Sequence, residues 1–171
     1  GIGSMHDARP EGYSTLQIML HWGVATLVAF QFFVNDGIDD AWRAFVTGGA
    51  VEAEQMAAAN VHVVIGLVIL ALALCRIMLR LTRGVPAPPP NEPRALQLAA
   101  SAAHLALYVL LILTPLSGAA AWFFEAEPAA AAHGVFRALL FIVVLLHIAG
   151  AFVQLLVFRS DVFWRILMTR D

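Results

Sequence analysis

The sequence predicts an all-α protein, an integral-membrane bundle of four helices with both termini in the cytoplasm. Three observations predict it. Hydrophobic residues make up 61% of the 171 and charged residues only 13%, with a mean hydropathy of +0.81, whereas soluble domains are roughly 45–50% apolar. Four apolar runs are each long enough to cross a bilayer core about 30 Å thick as a helix. Arginine, which supplies all ten basic residues, gathers on one side of those runs.

The elements follow in order. The opening GIGSMHDARPEG has no compact apolar stretch followed by a small-residue cleavage site, and GIGS ahead of Met5 reads as an expression scar. Residues 1–12 are therefore assigned as tag remnant and N-terminal tail, and 13–171 as one membrane domain. LQIMLHWGVATLVAFQFFV, Leu16 to Val34, is the first span. The polar, acidic segment NDGIDDAWRAFVTGGAVEAEQM separates it from the second, VHVVIGLVILALALCRIML, Val61 to Leu79. RLTRGVPAPPPNEPR is a proline-rich turn that stops a helix. The third span runs from Leu96 to Phe124, the short EAEP follows, and the fourth runs from Ala132 to Phe158. Neither strand patterns nor repeats occur, and about four spans with their loops leave little chain for a soluble domain.

Orientation follows from the arginines. Arg9, Arg76, Arg80, Arg83, Arg94, Arg159, Arg165 and Arg170 fall on the side of the termini and the second connection, while Arg43 and Arg137 fall on the other. The positive-inside rule puts both termini in the cytoplasm, with the chain multi-pass in the membrane. The periplasmic side then carries Asp36, Asp39, Asp40, Glu52, Glu54, Glu125 and Glu127. Trp42, Trp122 and Trp164 fall near span ends, where interfacial tryptophan is expected. A net charge of −2 gives no reason to expect a nucleic-acid partner. The single cysteine, Cys75, lies in an apolar run, so the chain has no disulfide framework, no CxxCH haem attachment and no thiolate set for an iron–sulfur cluster.

Histidine carries the chemistry. His6 belongs to the tail, but His21, His62, His104, His133 and His147 lie in or at the edge of spans, where ionisable residues are rare and usually functional. His62 opens the second span and His133 the fourth, which makes a periplasmic layer. His21, His104 and His147 fall toward the cytoplasmic side as a second layer. Fourteen residues separate His133 from His147, so one helix presents them within about 40° of the same face and about 21 Å apart. One span thus offers an imidazole to each layer.

Zinc usually takes four ligands, often with thiolate or carboxylate, and the spans contain almost no Asp or Glu. Haem iron leaves two axial positions to the protein, which two histidines complete. Two layers therefore point to two b haems stacked across the membrane, and fully ligated iron favours outer-sphere electron transfer over oxygen binding. Arg76 and Arg80, one turn apart at the cytoplasmic end, and Arg137, one turn after His133, are candidate partners for haem propionates. Snorkelling is the alternative for the first two.

These residues resemble the bacterial cytochrome b561 family, four-helix di-haem proteins related to the cytochrome b subunits of hydrogenases and formate dehydrogenases. The resemblance covers nearly everything after Gly12: YSTLQIMLHW, NVHVVIGLVILALALCRIMLRL followed by prolines, AAHLALYVLLILTPLSG, HGVFRALLFIVVLLH and the closing FWRILM. It implies that His21 pairs with His147 as iron ligands on the cytoplasmic side, and His62 with His133 on the periplasmic side. Depth alone isolates the second pair but does not choose among His21, His104 and His147. His104 is then a residue beside the ligands or on the quinone side. Tyr13 and Ser14 match the family's opening motif and would serve a propionate or a quinone headgroup, with interfacial anchoring and helix capping as the alternatives.

The resemblance further implies electron transfer between membrane quinone, here ubiquinone, and a donor outside the membrane, as in a superoxide oxidase that passes electrons from superoxide through two haems. The acidic periplasmic connections suit a cationic redox protein better than an anion. A cytochrome b anchor subunit docked to a soluble dehydrogenase is the rival reading, and a haem-free transporter or metal-binding bundle is a third.

Overall fold

The computed structural model describes residues 9–34 and 37–169. His6, Asp36 and Arg170, together with the reading of GIGS as a scar, lie outside the described residues. Six helices form: α1 (Thr15–Phe33), α2 (Gly37–Val46), α3 (Ala53–Thr82), α4 (Arg94–Phe124), α5 (Glu127–Leu156) and α6 (Val162–Arg165). Four of them, α1, α3, α4 and α5, are long and apolar enough to cross a membrane, and the described residues contain no strand.

All four spans start earlier than the apolar runs suggested, α1 and α4 by one or two residues and α3 and α5 by a turn or more. For α3, expected from Val61, the helix begins at Ala53 because AEQMAAAN is rich in strong helix formers and Glu52 with Gln55 completes a capping box. For α5, expected from Ala132, Pro128 stands in the first turn, where its fixed φ favours a helix start. The fourth span ends at Leu156 rather than Phe158. The α4–α5 connection is correspondingly tight, with Glu125 in the left-handed region at φ 55°.

The acidic first connection is more than a separator. GIDDAWRAFV folds as α2, since Ile38, Ala41, Trp42 and Phe45 recur on one face and Asp39 and Asp40 occupy the first turn, where the helix dipole favours negative charge. Its apolar face packs on α3. Ala41 is 1% exposed and Ala59 is fully buried, and any Cβ at Gly37 would collide with Ala58. Small residues let the two backbones meet, and α2 is seated by that contact.

Consecutive spans pack antiparallel, α3 on α4 and α4 on α5, with α1 against α3. An even number of spans leaves the start of α1 and the end of α5 on one side, called here the terminal end; α2 and the α4–α5 turn make the far end. The core is one apolar layer at mid-bundle, formed by Val24, Val28, Ile69, Ala73, Leu110, Leu111 and Leu140. Most large apolar side chains, including Leu105, Val135, Leu146 and Phe152, instead point outward. That inverts the soluble pattern and suits a lipid solvent.

Polar ties hold the proline-rich connection at the terminal end. Ser14 caps α1 and shares a capping box with Gln17. Buried Gln17 donates to the Gly84 carbonyl at 3.1 Å and accepts from Arg83 at 2.9 Å, while Gly84 supplies the required φ of 83°. Buried Gln154 of α5 donates to the Glu92 carboxylate and accepts from Ser160 Oγ at 2.7 Å. Arg165 of α6 donates to the Ala87 carbonyl at 2.7 Å and pairs with Asp161 at 2.8 Å, and Trp22 donates to the Ile166 carbonyl at 2.8 Å. Replacing Gln17 by Leu would take away the donor to the half-buried Gly84 carbonyl and the acceptor for the exposed Arg83 and is expected to cost about 1 kcal/mol, checked by a lowered thermal midpoint of the helical circular dichroism in detergent.

Candidate functional site

The helix lengths place five histidines in two groups on either side of the core layer. Leu140 lies two turns from both His133 and His147 on α5, so the apolar layer separates the groups. At the far end, His62 of α3 faces His133 of α5, with ring centres 6.1 Å apart. At the terminal end, His147 of α5 lies between His21 of α1, at 6.2 Å, and His104 of α4, at 5.3 Å. The two layers inferred from depth are therefore present as side-chain clusters.

Each ring has a distinct environment. His133 Nδ1 lies 2.7 Å from the Thr114 carbonyl oxygen, and since a carbonyl only accepts, Nδ1 carries the hydrogen and Nε2 keeps its lone pair. Gly118 makes this possible, because a Cβ there would stand 2.9 Å from His133 Nδ1. His62 Nδ1 is buried with no hydrogen-bond partner in the protein, while Gln31 donates to the His62 carbonyl at 2.8 Å. Arg76 Nη2 lies 3.1 Å from His21 Nδ1. A guanidinium only donates, so here Nδ1 accepts.

A cavity of about 240 Å³ opens beside the far pair, bounded by Gly66, Gly118 and Gly134 and by Asp39, Trp42 and Arg137. Around the terminal cluster, the Arg76 and Arg80 guanidinium groups lie 5.6 and 5.9 Å from the Tyr108 ring centre. Ser14 is engaged in the α1 capping box. Arg137 approaches Asp39 of α2 at 4.0 Å. The sequence reading passed over Thr114, Gly118 and Gln31, and counted Asp39 only among the periplasmic acids. Only Gly118 carried a visible signal, as the small residue in TPLSG one helix away from a histidine.

Among the described residues no group of three or more His, Cys, Asp or Glu could hold a metal ion. Two imidazoles on opposite sides of one metal, each bonded at about 2.0–2.1 Å through a nitrogen about 1.1 Å from its ring centre, put those centres about 6.2–6.4 Å apart. The spacings of 6.1 and 6.2 Å match that separation; the 5.3 Å between His104 and His147 falls short of it.

Comparison with known proteins agrees with this geometry. The model of the prokaryotic cytochrome b561 family matches residues 12–168. The chain belongs to that family. It is similar to cytochrome b562 of Cereibacter sphaeroides, with 31% identity over 93% of this chain and 97% of the relative. It is also similar to cytochrome b561 homolog 2 of Escherichia coli, with 30% identity over 64% of this chain and 54% of that relative. Membership in the cytochrome b561 family carries haem b binding and transmembrane electron transfer, in a multi-pass bacterial membrane protein.

The residues fit such a group. Unpaired His62 Nδ1, the free Nε2 of His133 and a glycine-lined cavity are what a flat, apolar, axially ligated macrocycle needs. Outside the spans, Tyr13 is the titratable group facing the terminal cluster. Burial raises its phenol above the ordinary value of 10, against the opposing pull of the Arg80 guanidinium. The folded state thus favours the neutral phenol, a contribution present below pH 10 and lost as pH rises through the raised folded value. The chain has two tyrosines, so in a Tyr108→Phe variant the alkaline difference absorbance reads Tyr13 alone; its midpoint is expected above 10, and it drops to 10 on unfolding.

Proposed function

We propose that the chain carries electrons through two b haems, one held by His62 and His133, the other by His21 and His147, from a periplasmic donor to ubiquinone. The observation that carries this reading is the pair of imidazole spacings, 6.1 and 6.2 Å, at two levels of one bundle. The arginine asymmetry supports placing the terminal end in the cytoplasm and the chain in the inner membrane. Haem b held by these histidines would supply one-electron chemistry.

The chain's own residues bind and orient. Thr114 and Gly118 fix the tautomer and position of His133. Were His21 to hold an iron through Nε2, its hydrogen would sit on Nδ1, where Arg76 could not donate, and that guanidinium, with Arg80 beside it over Tyr108, would be available to an anion such as a propionate. His104, on the far side of His147, stays beside the ligands or serves the quinone side. Tyr13 offers a neutral phenol to a propionate or quinone headgroup.

For the donor we infer superoxide. The cavity beside the far pair is open enough for a small diffusible anion, and Arg137, countered by Asp39 at 4.0 Å, is a cation on its lining. Two superoxide anions each lose one electron to become dioxygen, and quinone takes two electrons and two protons to become quinol. A second reading, an anchor subunit for a soluble dehydrogenase, draws support from the exposed Asp39, Asp40, Glu52, Glu54, Glu125 and Glu127 at the far end. Stopped-flow superoxide decay that depends on quinone supports the first, and copurification of a large soluble subunit supports the second.

The site assignment is tested by haem content. Purified protein is expected to hold about two haems b per chain by pyridine haemochrome. His133→Ala and His147→Ala should each lose a different one in dithionite-reduced spectra, and Gly118→Val should follow His133→Ala. Loss of the same haem in both, or of none, would overturn it.

A further inference from the structure

Helix α2 carries charge to the mouth of the far cavity. Asp39 and Trp42 of α2 line that cavity together with Arg137, His62 and His133. The position is fixed by packing, since Gly37 sits on Ala58 and Ala41 is buried at the α3 seam. Asp39 Oδ2 lies 4.0 Å from Arg137 Nη1, with side chains 66% and 53% exposed.

Depth matters as well. Phe32 and Phe33, the last residues of α1, contact the ring of Phe141, one turn beyond Arg137 on α5. Arg137 therefore stands at the level where α1 ends, at the edge of the apolar zone. A half-exposed ion pair there adds little stability, yet it decides the local field. Paired charges 4 Å apart act outward as a dipole, whose field dies away faster than that of a free cation.

We propose that Asp39 is a specificity-determining residue, a built-in countercharge that cancels Arg137 at the cavity mouth and so sets which sign of small redox partner reaches the far pair. The inference rests on the reading that the far pair holds a haem and exchanges electrons at that end. With Asp39 present the entrance is close to neutral and set among carboxylates. Removing its charge leaves Arg137 as a positive funnel directly beside the imidazoles. The neighbouring Asp40 makes its own contact with Arg43, at 3.9 Å, so it offers the same charge change away from the mouth.

The test uses the haem-loaded protein, reduced and mixed in stopped flow with two one-electron oxidants of opposite charge, ferricyanide and tris(phenanthroline)cobalt(III). One electron leaves the protein for each oxidant ion reduced. The signal followed is the absorbance of the haem that His133→Ala removes. In Asp39→Asn at low ionic strength, the ferricyanide rate is expected to rise and the cobalt rate to fall, each by roughly threefold to tenfold, and both changes should shrink toward none at about 1 M salt. Asp40→Asn should change either rate by less than about twofold, and Arg137→Gln should reverse the Asp39→Asn pattern. Rates that move together for both oxidants, stay unchanged, or respond equally to Asp40→Asn, with the haem spectrum intact, would overturn the role of Asp39. If His133→Ala keeps its full haem complement, the underlying site assignment fails instead.

Discussion

A polar group inside the spans has no water to fall back on, and the bundle is organised around that constraint. Backbone groups meet it by forming helices. Imidazoles must find partners of their own, because burying one unpaired costs free energy. The chain meets this need by gathering its five span histidines at two levels and leaving the middle of the bundle purely apolar. Haem b binding, which family membership carries, answers the same need at the lone pairs that the protein leaves open.

The two levels are served by different devices. At the far end the partner is backbone: the Thr114 carbonyl orients His133, and a glycine at 118 lets the ring come close enough. At the terminal end the partner is a cation, Arg76, held over Tyr108. A backbone carbonyl fixes a tautomer permanently. A guanidinium on a flexible stem makes a contact with His21 that side-chain rotation alone can break.

The connections are as specific as the spans. Gln17, Gln154 and Arg165 tie the proline-rich segment to α1, α5 and α6 through carbonyl and carboxylate partners, which closes the terminal end with neutral amides and one ion pair. The far end is closed by small residues instead, and the Gly37–Ala58 contact seats a charged helix against the bundle. Polar ties suit an end rich in arginine, where Arg83 and Arg165 themselves supply donors to carbonyl and amide oxygens. Close backbone packing suits an end where the charges must stay outward.

Composition, span count and the two histidine depths could be read directly, because hydropathy and the 3.6-residue repeat are local properties of the chain. Arginine asymmetry and the motifs around His21, His62, His104, His133 and His147 sufficed to expect the cytochrome b561 family and its haem chemistry. Helix ends were less legible: α3 and α5 extend through alanine-rich segments that are helical by propensity and cap, not by hydropathy. The helix in the acidic connection was missed for the same reason, although Ile38, Ala41, Trp42 and Phe45 marked its face. What only tertiary structure decided was contact between distant segments. The approach of His104 and His21 to one ring, the Thr114 carbonyl behind His133, the Arg76 contact and the Asp39–Arg137 pair depend on how far each helix is rotated and how closely small residues let the helices approach. Those are properties of packing between helices, and no local pattern encodes them.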